Sequence, residues 1–152
     1  MATALGNITI INVAVGSSTA AALALGNVAV WHKEELAADP WLCFTAEEAS
    51  STVRLDKVGS PSDISLETST DGSNWTDYSW SDNTGDLFTL ANVGDKVYFR
   101  AKNENTTIGS SQWNYFKFVM TGTIAASGNV QTLLKADGSR TDAPAYCYIY
   151  MF

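Results

Sequence analysis

Few residues of this sequence have the chemical types and spacings that catalysis requires. The single histidine, His32, has no cysteine or carboxylate at metal-ligand spacing on a shared face. A Ser-His-Asp triad would have to use this histidine, and no Gly-x-Ser-x-Gly turn that could present a nucleophilic serine accompanies it. We therefore expect His32 to be a solvated or interface residue, and the sequence predicts no catalytic residue and no enzyme activity.

The acidic residues offer little for acid–base or metal chemistry. Glycosidases hold two carboxyl groups about 5 to 9 Å apart in a cleft, whereas the adjacent Glu47 and Glu48 would point to opposite faces of a strand. Loops 71–77 (DGSNWTD) and 82–86 (DNTGD) carry the hard oxygen ligands that calcium prefers. Neither has the spacing of a known calcium loop, and Asp and Asn are also ordinary turn residues. We predict no metal and no cofactor.

Aromatic residues are the more informative group, with five Trp and six Tyr. Aromatic rings with a polar group are typical of sugar-binding and protein-binding surfaces. In an alternating strand Trp75 would face away from Tyr78 and Trp80, so one set is expected in the core and the other on the surface. The candidate glycan contacts are Trp75, Tyr78, Trp80 and Trp113; the alternative is that these aromatics fill the core.

The composition limits the class of protein. The chain has 152 residues, 45% of them hydrophobic and 16% charged, so we expect it to fold around one main core. A net charge of −7 and nine scattered Lys and Arg residues argue against nucleic acid as a partner. No apolar run approaches the roughly 20 residues of a membrane span, and no basic residue precedes the first apolar stretch. We therefore expect no membrane anchor and no signal peptide.

Residues 1–36 differ from the rest, because their only charged residues are Lys33, Glu34 and Glu35. LGNITI at 5–10 and LGNVAV at 25–30 form a weak internal repeat, which predicts two short β units. A short helix through 20–24 is the alternative. So few polar residues leave an apolar surface that this short segment cannot bury by itself, so we expect it to attach to another chain. The candidate attachment residues are Leu5, Ile8, Ile10, Val13, Val15, Leu25, Val28, Val30 and Trp31.

Residues 37–152 consist of short alternating runs separated by turn residues, which is typical of an all-β fold. We predict an antiparallel β-sandwich, Ig-like or jelly-roll-like, with a tight hairpin turn at 70–73. The expected strands are Trp41–Thr45, Thr52–Lys57, Ile64–Ser69, Trp75–Trp80, Leu87–Leu90, Lys96–Lys102, Asn114–Thr121, Asn129–Leu134 and Ala145–Met151. The last run is apolar on both faces, so it is expected inside a sheet or a subunit contact. Cys43 and Cys147 lie in apolar runs and are expected to be buried free thiols.

Four runs resemble a known module: residues 41–48 (WLCFTAEE), 69–76 (STDGSNWT), 90–101 (LANVGDKVYFRA) and 118–130 (FVMTGTIAASGNV). The module is a β-rich repeat of surface proteins of gut Bacteroidales and of structural proteins of their phages, including crAss-like phages. Residues 25–31 (LGNVAVW) are similar to short strand motifs at the head of phage fibre and adaptor proteins. The bacterial proteins usually carry a secretion signal and leucine-rich repeats, and we expect neither here, which favours the phage members.

The resemblance implies a phage head fibre or capsid decoration protein on the virion surface, assembled in the host cytoplasm. The N-terminus would attach to a capsid or fibre partner, and the β-domain would face outward, where it could bind host-surface glycans. A closed homo-oligomer, with a trimer as the expected size, would suit a fibre. The alternatives are a tail-fibre or adaptor component and a carbohydrate-binding adhesion module of a bacterial surface protein.

Overall fold

The structure is a computed structural model that describes residues 8–11, 22–25, 28–32 and 39–152. The chain forms two compact units, Met1–Ala37 and Ala38–Phe152. The boundary between them lies one residue beyond the one that the change in composition predicts. No helix long and apolar enough to cross a membrane is found in the described part of the chain.

The N-terminal unit contains a three-stranded antiparallel sheet in the order β1-β2-β3. Its strands are β1 Ile8–Ile11, β2 Ala22–Leu25 and β3 Val28–His32. The strand interpretation of the alanine-rich run is therefore confirmed for residues 22–24. Residues 20 and 21 lie outside the described residues, as do the candidate attachment residues Leu5, Val13 and Val15.

The second unit is an antiparallel β-sandwich, as predicted. A five-stranded sheet, ordered β13-β4-β11-β6-β7, packs against a three-stranded sheet, ordered β10-β5-β12, and a two-stranded ribbon β8-β9 lies beside β5. The strands are β4 Leu42–Ala46, β5 Ser51–Val58, β6 Leu66–Ser69, β7 Thr76–Asp77, β8 Trp80–Ser81, β9 Thr84–Gly85, β10 Phe88–Leu90, β11 Lys96–Ala101, β12 Tyr115–Thr121 and β13 Ile124–Ser127. Most neighbours within each sheet are far apart in sequence, because the chain usually crosses to the other sheet after a strand.

The core lies between the two sheets and is built from the inward positions of alternating strands. In β5, Ser51, Val53 and Leu55 are buried, while the intervening Thr52 and Arg54 are partly exposed. Phe44, Phe99 and Phe118 meet at the centre, with ring centroids 5.8 Å apart for the first pair and 5.2 Å for the last two. Edge-to-face packing of this kind adds about 0.5–1.5 kcal/mol per pair beyond area burial.

The expected hairpin at 70–73 is present, but its loop is longer than a tight turn. Strands β6 and β7 pair antiparallel, and the innermost pair is Thr68 and Thr76. Gly72 has a φ of +73°, as an Asp-Gly turn requires. The carboxylate of Asp71 binds the backbone N–H groups of Ser73 and Asn74, both at 2.8 Å, so side-chain hydrogen bonds hold the wider loop.

The expected strand Trp75–Trp80 is interrupted. Strand β7 ends at Asp77 and β8 begins at Trp80, because Tyr78 turns into the core between them. Strand β9 was not expected, and neither was β13, whose alanines give a weak strand signal.

The expected strand Asn129–Leu134 is wrong, since Val130–Leu133 is a short 3-10 helix. Asn129 starts it: its side chain accepts a hydrogen bond from the Gln131 N–H at 2.9 Å. Capping by Asn stabilises a helical start at the expense of extended structure. The buried residues of this run, Thr132 and Leu133, therefore lie on the inner side of a helical turn and not on one face of a strand.

The expected strand Ala145–Met151 is also wrong. Tyr146 and Tyr150 have φ values of +64° and +52°, outside the extended region, so the run folds as successive turns. Its apolar residues divide between the core and the surface. Cys147 and Met151 are buried, whereas Tyr146, Tyr150 and Phe152 are exposed. Both cysteines are buried free thiols, as expected.

Candidate functional site

The four candidate glycan contacts lie in three separate places. Two of these residues, Tyr78 and Trp80, have structural roles. Tyr78 is only 5% exposed, and its hydroxyl accepts a hydrogen bond from the Leu55 N–H at 2.6 Å. Trp80 is half-buried, and its indole N–H donates to the Leu55 carbonyl at 2.7 Å. Both side chains cover the β5 backbone. The interpretation of Tyr78 as a glycan contact is therefore corrected, because its hydroxyl and ring are enclosed by the core.

Trp75 belongs to a stacked cluster on the five-stranded sheet. The guanidinium of Arg100 lies 3.7 Å from the centre of the Trp75 ring and 5.3 Å from that of Trp41. The two indoles meet edge to face with centroids 4.9 Å apart. Glu67, which pairs with Arg100 across β6 and β11, accepts a hydrogen bond from its Nε at 2.6 Å. The half-buried Trp75 ring is thus covered on one side by a cation of the same chain.

Trp113 is the exposed member of the four, with 73% of its surface open to solvent. It lies in a tight turn just before β12. Ser111 and Asn114 close this turn through two backbone hydrogen bonds, of 3.3 and 3.2 Å. The Ser111 hydroxyl also accepts a hydrogen bond from the Trp113 N–H at 3.2 Å. The turn therefore holds the tryptophan backbone at its tip.

A second loop, which contains Gly59 and Ser60, clamps this turn. The Asn114 side chain accepts a hydrogen bond from the Ser60 N–H at 2.8 Å. Gly59 has a φ of +69°, and a Cβ there would overlap the Trp113 carbonyl oxygen. Only glycine permits this close approach of the two backbones. The clamp fixes Trp113 relative to the end of β5.

Trp113 forms one side of an open hollow of about 370 Å³, which we call the aromatic hollow. It is lined by Val58, Gln112, Trp113, Tyr115 and Tyr150. Val58 and Tyr115 are cross-strand partners of β5 and β12, so the sheet end provides its floor. The Tyr115 and Tyr150 rings meet at 61° with centroids 5.4 Å apart. Among the residues that the structure describes, none with a charge lines this hollow.

Sequence reasoning identified Trp113 but not the other four residues of the aromatic hollow. Val58 directly follows the predicted strand Thr52–Lys57, and Tyr115 is the second residue of the predicted strand Asn114–Thr121, so the sequence places each where a strand meets a polar loop. Tyr150 carries none, because turns rather than strand alternation place it beside Tyr115.

A second open hollow, of about 470 Å³, is more polar. It is lined by Thr70, Thr89, Leu90, Gly94, Asp95 and Lys96. The Asp95 carboxylate already accepts a hydrogen bond from the Asn92 N–H at 2.9 Å. None of these described lining residues is aromatic, so this hollow offers a sugar ring no aromatic face to stack against.

The carboxylates of Asp71, Asp77 and Asp86 in the acidic loops have hydrogen-bond and ion-pair partners within the same chain. Besides its two backbone partners, the Asp71 carboxylate accepts hydrogen bonds from the Asn74 amide at 2.7 Å and the Ser69 hydroxyl at 2.9 Å. The Asn74 and Ser73 bonds hold the pKa of this carboxyl well below its usual range. Asp77 pairs with Lys102 at 2.7 Å, and Asp86 accepts from the Ser79 N–H at 2.9 Å. No group of three His, Cys, Asp or Glu residues that could hold a metal occurs among the described residues.

No family model, no curated protein and no solved structure matches this chain.

Proposed function

We propose that the protein is a structural component of a phage particle, a head fibre or capsid decoration protein, attached through its N-terminal unit and displaying its sandwich. The observation that carries this proposal is the register of the N-terminal sheet. The ladder aligns two rows of apolar residues across all three strands: Ile8, Leu25 and Val28, and Ile10, Leu23 and Trp31.

Residues paired across a ladder share one face of the sheet. Five of the candidate attachment residues therefore occupy one face: Ile8, Ile10, Leu25, Val28 and Trp31. Val30 lies in β3 near the irregularity in the β2–β3 pairing and belongs to neither row. An apolar face of this kind in a small sheet favours a partner that covers it.

The distribution of charge supports the same division of roles. Lys33, Glu34 and Glu35 give residues 1–37 a net charge of −1, so −6 of the total −7 lies on residues 38–152. A charge-poor segment suits a packed contact, and an acidic domain suits exposure to solvent. The resemblance of residues 41–152 to phage and bacterial surface modules agrees with display.

We propose that other copies of the chain cover the apolar face, in a closed three-fold assembly that then attaches to the capsid. Closed cyclic symmetry hides a shared surface without open-ended polymerisation. Light scattering of the purified full-length protein should give about three times the chain mass of 16.3 kDa. A single chain mass would contradict the assembly.

Two substitutions in β1 test whether the apolar face of the sheet, and not the opposite face, forms the contact between copies. Ile10→Asp places a charge in the row with Leu23 and Trp31, and should dissociate the oligomer because an unpaired charge is costly to bury. Thr9→Asp is the matched control, since Thr9 pairs with Ala24 on the opposite face and should keep the mass. Equal masses for the two variants would show that the apolar face defined by the register does not form the contact between copies.

The position on the particle needs a direct observation. Antibodies against the sandwich, bound to purified particles and located by electron microscopy, should label the capsid surface. Labelling of the tail would favour the tail-fibre or adaptor alternative. Particles without any label would contradict a virion role.

A further inference from the structure

We infer that the aromatic hollow binds a neutral saccharide. This inference gives a ligand to the displayed sandwich of the proposed function. It rests on the sandwich alone, so it can fail or hold independently of virion attachment.

The chemistry of the lining matches that of a sugar ring. Trp113 and Tyr150 are exposed, at 73% and 59%, and offer apolar ring surface to the C–H groups of a sugar. The Gln112 amide can donate and accept hydrogen bonds, and the Tyr115 and Tyr150 hydroxyls can do the same. A few polar groups among apolar walls are typical of small-molecule sites, where they fix the orientation of the ligand.

The size of the hollow favours a small ligand over a protein segment. Its volume of about 370 Å³ lies at the low end of the usual range for ligand sites. One or two sugar rings would fill it. A protein partner would instead need a surface of roughly 800 Å² on each side, far more than five residues supply.

Charge selects among saccharides. No charged residue lines the hollow within the described part of the chain, and the whole chain carries a net charge of −7. A sialylated or sulfated glycan would bring a negative charge to an acidic protein without a cation to pair with it. The site should therefore prefer neutral sugars.

The clamp beneath Trp113 lowers the cost of binding. The Ser60 to Asn114 hydrogen bond and the close approach at Gly59 fix the turn before a ligand arrives. A rigid aromatic side chain loses little conformational entropy on binding. The hollow is thus largely formed without its ligand.

The test is a glycan array probed with the full-length protein, with neutral and anionic glycans on one surface. The strongest hit is then titrated as a soluble, monovalent oligosaccharide by calorimetry, so that the affinity does not depend on oligomeric state. We expect neutral glycans to bind. No binding on the array, or binding of anionic glycans alone, would overturn the inference.

Substitutions then locate the site. Trp113→Ala should weaken binding of the soluble oligosaccharide on the order of tenfold, since it removes the most exposed ring. Gln112→Ala should weaken it less and leaves the aromatic walls in place. Val93→Ala is the control, because Val93 is also exposed, at 66%, and does not line the hollow.

Undiminished affinity in both Trp113→Ala and Gln112→Ala would place the site elsewhere and overturn the inference. Circular dichroism of each variant shows that it is folded. Ile10→Asp should bind the monovalent sugar normally, which separates the saccharide site from attachment. If the oligomer dissociates when Trp113 is replaced, the hollow is a contact between copies and the inference is wrong.

Discussion

The hydroxyl of Tyr78 lies 2.6 Å from the backbone nitrogen of Leu55 and accepts its hydrogen. The same hydroxyl lies 3.2 Å from the Leu55 carbonyl and can donate to it. Strand β10 pairs with β5 only as far as Val53, and the ribbon meets β5 again where the Lys57 N–H donates to Asn83. Between those points a tyrosine side chain takes the place of a strand.

Tyr78→Phe should therefore destabilise the sandwich by about 1–3 kcal/mol, because it leaves a buried backbone N–H without its partner. Urea denaturation followed by tryptophan fluorescence measures this loss. Tyr150→Phe is the control, since Tyr150 is 59% exposed, and its unfolding midpoint should stay close to that of the wild type. Equal midpoints for the two variants would show that the Leu55 contact adds nothing to stability.

Tyr78 also shows which part of the fold the alternation of apolar and polar residues does not predict. Alternation predicted β5 and β12 closely, because each has one face in the core and a more exposed opposite face. The apolar runs at β4 and β11 were predicted as strands too, although both of their faces are largely buried. Alternation around Tyr78 predicted a continuous strand. What places this residue is a hydrogen bond to a backbone group 23 residues away, which local alternation does not encode.

The candidate site, too, could be predicted only in part from the sequence. Trp113 could be proposed from its residue type and its polar loop, and the structure places it in the open. Its neighbour Tyr150 could not, because the positive φ at that residue turns the C-terminal run away from a strand and toward Tyr115. Contacts between distant segments, rather than local pattern, complete the aromatic hollow.

Gly128 should be intolerant of a side chain. It has a φ of +81°, and a Cβ there would overlap the carbonyl oxygen of Trp41, next to β4. Gly128→Ala therefore adds a steric clash to the usual backbone strain and should cost about 3 kcal/mol or more. Urea denaturation gives the value.

Gly94 provides the matched control for that substitution. Its φ is +90°, but nothing lies within 4 Å of a Cβ placed there. Gly94→Ala should therefore show only the strain of a left-handed residue, about 1–2 kcal/mol. If both alanine variants lose the same stability, backbone strain alone accounts for Gly128 and the close contact with Trp41 is unimportant.

Arg100 should not be replaceable by lysine. Its planar guanidinium lies 3.7 Å from the Trp75 ring centre while Nε binds Glu67, and a lysine ammonium cannot make both contacts in this geometry. We expect Arg100→Lys to destabilise by about 1–2 kcal/mol, measured by urea denaturation. Arg54→Lys is the control, because Arg54 pairs with Asp56 at 3.0 Å and should lose less. A smaller loss at position 100 than at position 54 would contradict a stacking contribution.

Stability should fall at alkaline pH through the buried Tyr78 and the half-buried Tyr148. Burial raises the pKa of both Tyr78 and Tyr148 above the ordinary value of 10.0. Above about pH 10 the unfolded chain loses these phenolic protons while the folded chain keeps them, so the free energy of unfolding decreases as pH rises. Each group contributes at most about 1.4 kcal/mol per pH unit, and its contribution is complete below that range. Urea midpoints measured at about pH 9 and about pH 11 should therefore differ less in Tyr78→Phe than in the wild type, and an unchanged difference would show that Tyr78 does not carry this dependence.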